Sequence, residues 1–212
     1  ALNTTPTMNK RSFLKSLGLL AATGPILGLD FPKVNTASTL LPKALLRGQT
    51  VGIISPSAAT ADRMEFTYAK EAMEALGLKV KLGKNFENRF GHLAGTDEER
   101  AEDFNAMFAD PEVNAIICLR GGSGAARILP LIDYEQVKAN PKPLLGYSDI
   151  TAFHCALQSQ AGLISFHGPN GSGSWNSFNA GQFQQLFFEQ KLLTFKNEIG
   201  KGDDLVAKGN RI

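Results

Sequence analysis

Asn114-Ala115-Ile116-Ile117-Cys118-Leu119 runs apolar with almost no alternation. A strand with one wet face alternates apolar and polar residues. A continuous run needs cover on both faces, as in a parallel sheet clad by helices. The flanking sequence supplies the cladding. Thr50 to Ser55 reads as a strand ending in the loop Pro56-Ser57-Ala58. Asp62 to Leu76 is helical, with Phe66, Ala69, Ala72, Met73 and Leu76 on one face and Gly77 as its stop. Leu78 to Leu82 alternates as a second strand, and Thr96-Asp97-Glu98-Glu99 is a capping-box signature for a helix through Phe108. Gly124 to Leu131 forms a short helix, Lys142 to Leu145 a strand, and the next helix reaches about Gln160. Leu163-Ile164-Ser165 reads as a further strand, and Ala180 to Gln190 as a helix. Alternation of this kind predicts an α/β domain with a mainly parallel sheet. Chemistry in such sheets gathers beyond the carboxyl ends of the strands. Four loops converge there: Ser55 to Ala58, Arg120 to Gly124, Gly146 to Asp149, and Phe166 to Gly173.

The chain has 212 residues, enough for one sizeable domain and thin for two. A formal charge of +2 with no basic stripe argues against nucleic acid as a partner. No apolar run reaches the roughly 20 residues a membrane-spanning helix needs. Cys118 and Cys155 lack metal or redox spacing and are expected to be two buried thiols. Three scattered histidines, His92, His154 and His167, give no metal-ligand pattern, so neither a metal nor another cofactor is expected.

At the amino terminus, Met8-Asn9-Lys10-Arg11-Ser12-Phe13-Leu14-Lys15 precedes the short apolar stretch Ser16 to Gly24. A basic segment followed by a brief apolar one is the pattern of a secretory signal, and the Lys-Arg-Ser-Phe-Leu-Lys string resembles a twin-arginine leader. Residues 1–30 are therefore expected to be an export signal, which implies a periplasmic address, or a cytoplasmic one if the signal does not function. Residues 31–46 are expected to be a linker, 47–175 the folded domain, and 176–212 the start of a connection to a carboxy-terminal domain missing from this chain. The pattern loosens beyond Gly173, and the last residues carry no stop signal.

Gly146-Tyr147-Ser148-Asp149 has the strand, tight turn, serine and helix order of a nucleophile elbow. The hydrolase pattern Gly-x-Ser-x-Gly would need glycine at Ile150, so Ser148 reads either as a nucleophile or as a helix N-cap. Arg120-Gly121-Gly122-Ser123-Gly124 also follows a strand and opens a helix. Its amides can hold an oxyanion, or it can be a plain turn. It fails as a dinucleotide fingerprint because Arg127 stands where a third small residue belongs. His154, six residues along a helix from Ser148, is rotated by roughly 240° and cannot serve as its base. His167 follows a strand and can stand at the active edge or bond backbone in its loop. No Ser-His-acid set is visible within these residues.

In order and spacing, five segments resemble the LD-carboxypeptidases (muramoyltetrapeptide carboxypeptidases), serine peptidases that trim bacterial cell-wall peptides. They are Val51 to Ser57, Gly91 to Arg100, Arg120 to Gly124, Gly146 to Thr151, and Phe166 to Pro169. The resemblance implies a Rossmann-like amino-terminal domain followed by a separate carboxy-terminal one. It gives Ser148 the role of nucleophile, and an oxyanion hole made by the amide of Asp149 with that of Gly121 or Gly122. It also implies a Ser-Glu-His mechanism whose Glu and His come from the second domain, past Ile212. The fragment alone is then expected to be inactive. The implied reaction is cleavage of the L,D-amide bond to terminal D-alanine in peptidoglycan tetrapeptides, with a peptidoglycan-derived peptide as substrate and a homodimer as a possible state of the full-length protein. Ser123 stands where the family usually has tyrosine. Arg120 and Arg127 are the candidates for binding the terminal carboxylate. The alternatives are a hydrolase resembling the microcin C7 resistance enzymes, a non-catalytic wall-peptide-binding fragment, and a Gly-rich nucleotide-binding domain.

Overall fold

The computed structural model describes residues 39–193. The expected export signal lies outside them, as do the first half of the expected linker and the end of the expected connection. Five strands form one all-parallel sheet: β1 (Thr50–Ile54), β2 (Lys79–Leu82), β3 (Val113–Cys118), β4 (Leu144–Gly146) and β5 (Phe166–His167). Their spatial order is β2-β1-β3-β4-β5. The order reverses between β1 and β3, and there the loops leaving the two strands part to opposite sides and leave a crevice.

Helices cover both faces, for the reason the β3 sequence suggested. Ile116 and Cys118 join one apolar cluster, while Ala115, Ile117 and Leu119 join the other. Successive side chains point to opposite faces, and neither face is wet. The first cluster takes Phe104 and Phe108 from α2 (Asp97–Ala109) and Val137 from α4 (Tyr134–Ala139). It also takes Phe153 from α5 (Thr151–Ala156). The second takes Ala69 and Met73 from α1 (Met64–Ala75) and Phe183 from α6 (Ser177–Phe183). The first cluster also takes Ala125 and Ile128 from α3 (Ala125–Ile128), which continues as a 3₁₀ turn, Leu129–Leu131. A helix segment of π type, Leu157–Ala161, extends α5 and ends at Gly162 with φ 69°; a second, Gln184–Phe188, extends α6.

The capping box forms as the sequence indicates: Thr96 accepts from the Glu99 amide, and the Glu99 carboxylate accepts from the Thr96 amide. Three expectations need correction. The last strand is not Leu163 to Ser165 but Phe166–His167. Leu163 instead makes a single bridge to Leu40, and the Ile164 amide donates to the Leu40 carbonyl, so pairing with β4 starts only at Phe166. Cys155 is exposed rather than buried. It sits two residues past the core-facing Phe153, about 200° round the helix. Helix α4 was not anticipated, although Asp133 caps it by accepting from the Gln136 amide. Leu45, within the expected linker, is fully buried in the second cluster.

Candidate active site

β4 delivers the elbow. Its last residue is glycine because a Cβ at Gly146 would lie 2.8 Å from the Ile150 Cγ2 and 2.9 Å from the Asn170 Oδ1. Tyr147 is extended, and its amide donates to that Asn170 oxygen at 3.0 Å. Ser148 then adopts φ 65°, a left-handed value that costs an L-residue about 1–2 kcal/mol. Buried Ile150 anchors the far side of the bend. Ser148 opens a 3₁₀ turn, Ser148–Ile150, and stays exposed, with its hydroxyl making no hydrogen bond among the described residues. The oxygen of an N-cap serine would accept from the helix amides. This one does not.

The turn after β3 comes up against it. A Cβ on Gly121 would lie 2.9 Å from the Ser148 Cβ and 3.1 Å from both the Ser148 Oγ and the Asp149 amide nitrogen. Only a residue without a side chain allows that approach. Gly122 sits at φ 120° with Ala58 packed where its Cβ would be. Neither the Gly121 nor the Gly122 amide donates to a backbone carbonyl among the described residues. The Asp149 amide lies in the first turn of its helix, where intrahelical acceptors are lacking. Unspent donors therefore surround an exposed hydroxyl.

Polar side chains lock these loops together, and the sequence reading missed most of them. The Asp149 Oδ2 accepts from the Ser57 hydroxyl at 2.5 Å and from the Ala125 amide at 2.9 Å, so one carboxylate joins the loops after β1, β3 and β4. Arg100 of α2 is almost wholly buried, and its Nη1 donates to the carbonyls of Pro56 and Gly124 at 2.8 and 2.9 Å. Burial pulls the Arg100 pKa down, while its ion pair with Asp97 pushes it back. Hydrogen bonds from Arg127 hold Asp97 below the ordinary carboxylate range, against the effect of burial. Arg127 grips Asp97 from Nε at 3.0 Å and Nη2 at 2.7 Å, a bidentate pair that leaves it committed to α2. Only the capping-box position of Asp97 was visible beforehand; apart from the Asp97–Arg100 pair, three residues apart, the partners lie dozens of residues away in sequence.

The histidines divide. His154 is half-buried, its Nε2 at 2.9 Å from the Gly146 carbonyl and its Nδ1 at 2.7 Å from the Ser165 Oγ. A carbonyl only accepts, so Nε2 carries the proton and Nδ1 of the neutral ring accepts from Ser165. Burial lowers its pKa, the Gly146 bond raises it, and nearby His167 lowers it further. His154 thus bears on the elbow from behind, as a clamp on the residue before Tyr147. His167 is exposed, paired in register with Gly146, with its ring edge-on to Tyr147 at 6.3 Å. His92 lies exposed in its loop. Neither His154 nor His167 bonds the Ser148 hydroxyl.

A cleft of about 290 Å³ opens beside the elbow, lined by Tyr147, His167, Gly168, Pro169, Ser174 and Asn179. Among the described residues no cluster of His, Cys, Asp and Glu is arranged to hold a metal ion, and no helix is long and apolar enough to cross a membrane. The arrangement can place a serine oxygen against a carbonyl carbon with amides ready for the resulting negative charge.

Residues 51–168 match the model of the LD-carboxypeptidase N-terminal domain. A probable murein peptide carboxypeptidase of Bacillus subtilis is 41% identical over 170 residues, 78% of this chain and 53% of its own length. The murein tetrapeptide carboxypeptidase of Pseudomonas aeruginosa is 39% identical over 125 residues, 58% of this chain and 40% of its own. Among solved structures, the wild-type microcin C7 self-immunity protein MccF superposes with a TM-score of 0.66 at 30% identity, over 70% of this chain and 47% of that one. The chain spans about half the length of the relatives it matches.

Proposed function

Since the chain belongs to the LD-carboxypeptidase family through its amino-terminal domain, we propose that its complete protein is a serine carboxypeptidase acting on peptidoglycan tetrapeptides. The bond cut is the amide that joins an L-centre to terminal D-alanine. The observation that carries this reading is the exposed Ser148 at φ 65°, with Gly121 bare against its oxygen.

The Ser148 oxygen attacks the scissile carbonyl carbon and gives its proton to a base. The carbonyl oxygen takes the negative charge and is held by the amides of Asp149 and of Gly121 or Gly122. Collapse breaks the C–N bond, and the base passes the proton to the departing amine of D-alanine. Water then repeats the attack and frees Ser148. The resemblance assigns the base and its partner to a His and a Glu of a carboxy-terminal domain. The side chains of Asp149, Ser57 and Arg100 act as positioning groups, since they hold the three loops in register without touching the reacting atoms.

The test is release of D-alanine from a tetrapeptide by the full-length protein. Ser148→Ala is expected to lower turnover by at least about 10³-fold with an unchanged melting temperature. Undiminished turnover refutes the assignment. A second reading, hydrolysis of a peptide–nucleotide conjugate, draws on the likeness to the self-immunity protein. Comparing kcat/KM for the two substrates ranks them. The export reading of residues 1–30 predicts that Arg11→Ala leaves the protein in the cytoplasm; a periplasmic Arg11→Ala protein removes that reading.

A further inference from the structure

After β5 the chain does not leave the sheet but runs back across the ends of β4 and β3. The Gly168 amide donates to the Gly146 carbonyl at 3.2 Å. The Gly171 amide donates to the Cys118 carbonyl and the Ser172 amide to the Leu119 carbonyl, each at 2.9 Å. Residues 168–172 are thus a strap. It is stitched at one end to the residue that opens the elbow, and at the other to the last residues before the glycine turn.

Asn170, in the middle of the strap, is 4% exposed. A side-chain amide buried this deeply is expected to spend its polar atoms on the fold. A backbone N–H only donates, so the oxygen of Asn170 faces the Tyr147 amide, at 3.0 Å. The Asn170 main-chain carbonyl accepts from the Gly173 amide at 2.9 Å and from the Trp175 Nε1 at 3.2 Å. That indole also reaches the Gly171 carbonyl at 3.1 Å, and its ring stands edge-on to Phe183 of α6 at 5.5 Å. The Trp175 amide donates to the Tyr68 hydroxyl of α1 at 3.2 Å. Asn170 is therefore fixed from behind before it grips the elbow.

The peptide it grips is held at both ends. The Gly146 oxygen accepts from the His154 Nε2 at 2.9 Å and from the Gly168 amide, while the Tyr147 nitrogen donates to Asn170. With both groups bound, this peptide plane cannot turn. Ser148 follows one residue on, at φ 65°. Freeing the Tyr147 amide would let Tyr147 rotate and Ser148 relax toward negative φ, which draws the hydroxyl away from Gly121.

We propose that Asn170 is a positioning residue of this site. It holds the nucleophile at one fixed spacing from the glycine turn, and Trp175 locks it in place. The inference rests on the hydrolase reading for the reaction it serves.

The test uses the full-length protein, with active sites counted by a serine-directed fluorophosphonate. Asn170→Ala is expected to lower kcat per labelled site by about 10–100-fold, with KM within about twofold of wild type. The labelling rate should fall with kcat. A merely structural role would instead reduce the number of labelled sites and leave turnover per site unchanged. Asn170→Asp keeps an acceptor oxygen and is expected to recover turnover to within about fivefold of wild type. Trp175→Phe keeps the ring but loses both indole hydrogen bonds, and should show a smaller fall than Asn170→Ala. Where Asn170→Ala does not fold, Trp175→Phe decides alone. Wild-type turnover per labelled site in the deciding variant overturns the proposal, as does an Asn170→Asp protein no faster than Asn170→Ala. Hydrogen exchange scores the strap without turnover: the Tyr147 amide should exchange at least about tenfold faster in Asn170→Ala. Faster exchange in a protein that hydrolyses nothing removes the hydrolase reading and keeps the strap. Hydrolysis with unchanged exchange and unchanged turnover per site does the reverse.

Discussion

The turns that leave β3 and β4 both carry the chain from the carboxyl edge of a buried strand into a helix. Each needs a residue in the left-handed region. After β3 that need is met by glycine, at Gly122 (φ 120°) and Gly124 (φ 115°). After β4 it falls on Ser148 (φ 65°). A glycine accepts the conformation without strain and leaves bare backbone that another loop can touch. A serine accepts it at a cost and puts a hydroxyl at the apex. The first turn is shaped to be approached, and the second to project.

Exchanging these properties gives the largest effects. Gly121→Ala places a methyl group 3.1 Å from both the Ser148 Oγ and the Asp149 nitrogen. It is expected to cut turnover of the full-length protein about 100-fold or more by filling the oxyanion position, with kcat falling rather than KM rising. Unchanged kinetics would mean that the two turns do not form one site. Gly122→Ala meets both a positive φ and the Ala58 side chain, and should destabilise the domain by about 1–3 kcal/mol in urea titration. Asp149→Ala strips the Ser57 hydroxyl and the Ala125 amide of their acceptor, a loss of about 1–3 kcal/mol, whereas Asp149→Asn keeps an acceptor oxygen and should cost less. Ser148→Gly should be more stable than Ser148→Ala by about 0.5–1 kcal/mol, because glycine relieves the left-handed strain that alanine keeps. Equal stabilities would show the elbow to be unstrained.

The smallest effect is a pH dependence behind the elbow. The folded pKa of His154 lies below its ordinary value because burial disfavours the charged ring. The unfolded chain therefore takes up the proton first as pH falls, so the stability tied to neutral His154 is complete above about 6.5 and drains away below it. Wild-type protein should lose stability more steeply than His154→Gln between about pH 7 and 5. Parallel curves would remove the clamp.

What was legible beforehand was what local sequence encodes. The β3 run, the Thr96–Glu99 box and the abrupt stop at Gly146 each depend on neighbours within a few residues, and each formed as read. Features that depend on partners far along the chain were not. Nothing near Asp149 announces that its carboxylate will meet Ser57, 92 positions earlier. Nothing near Arg100 announces the Pro56 carbonyl, and β5 shifted because Leu163 found Leu40. Cys155 was misread because a helix face, not a residue type, decides burial. The strain at Ser148 was legible only through the elbow pattern and the family resemblance, since serine by itself rarely takes that conformation.

The central claim is that the Ser148 oxygen is the nucleophile. Treating the full-length protein with a serine-directed fluorophosphonate and mapping the adduct by mass spectrometry tests it most directly. One adduct is expected, on the peptide that contains Ser148, with loss of activity in proportion to labelling and no adduct in Ser148→Ala. An adduct on another serine whose labelling abolishes turnover, or full activity with Ser148 completely labelled, would contradict it.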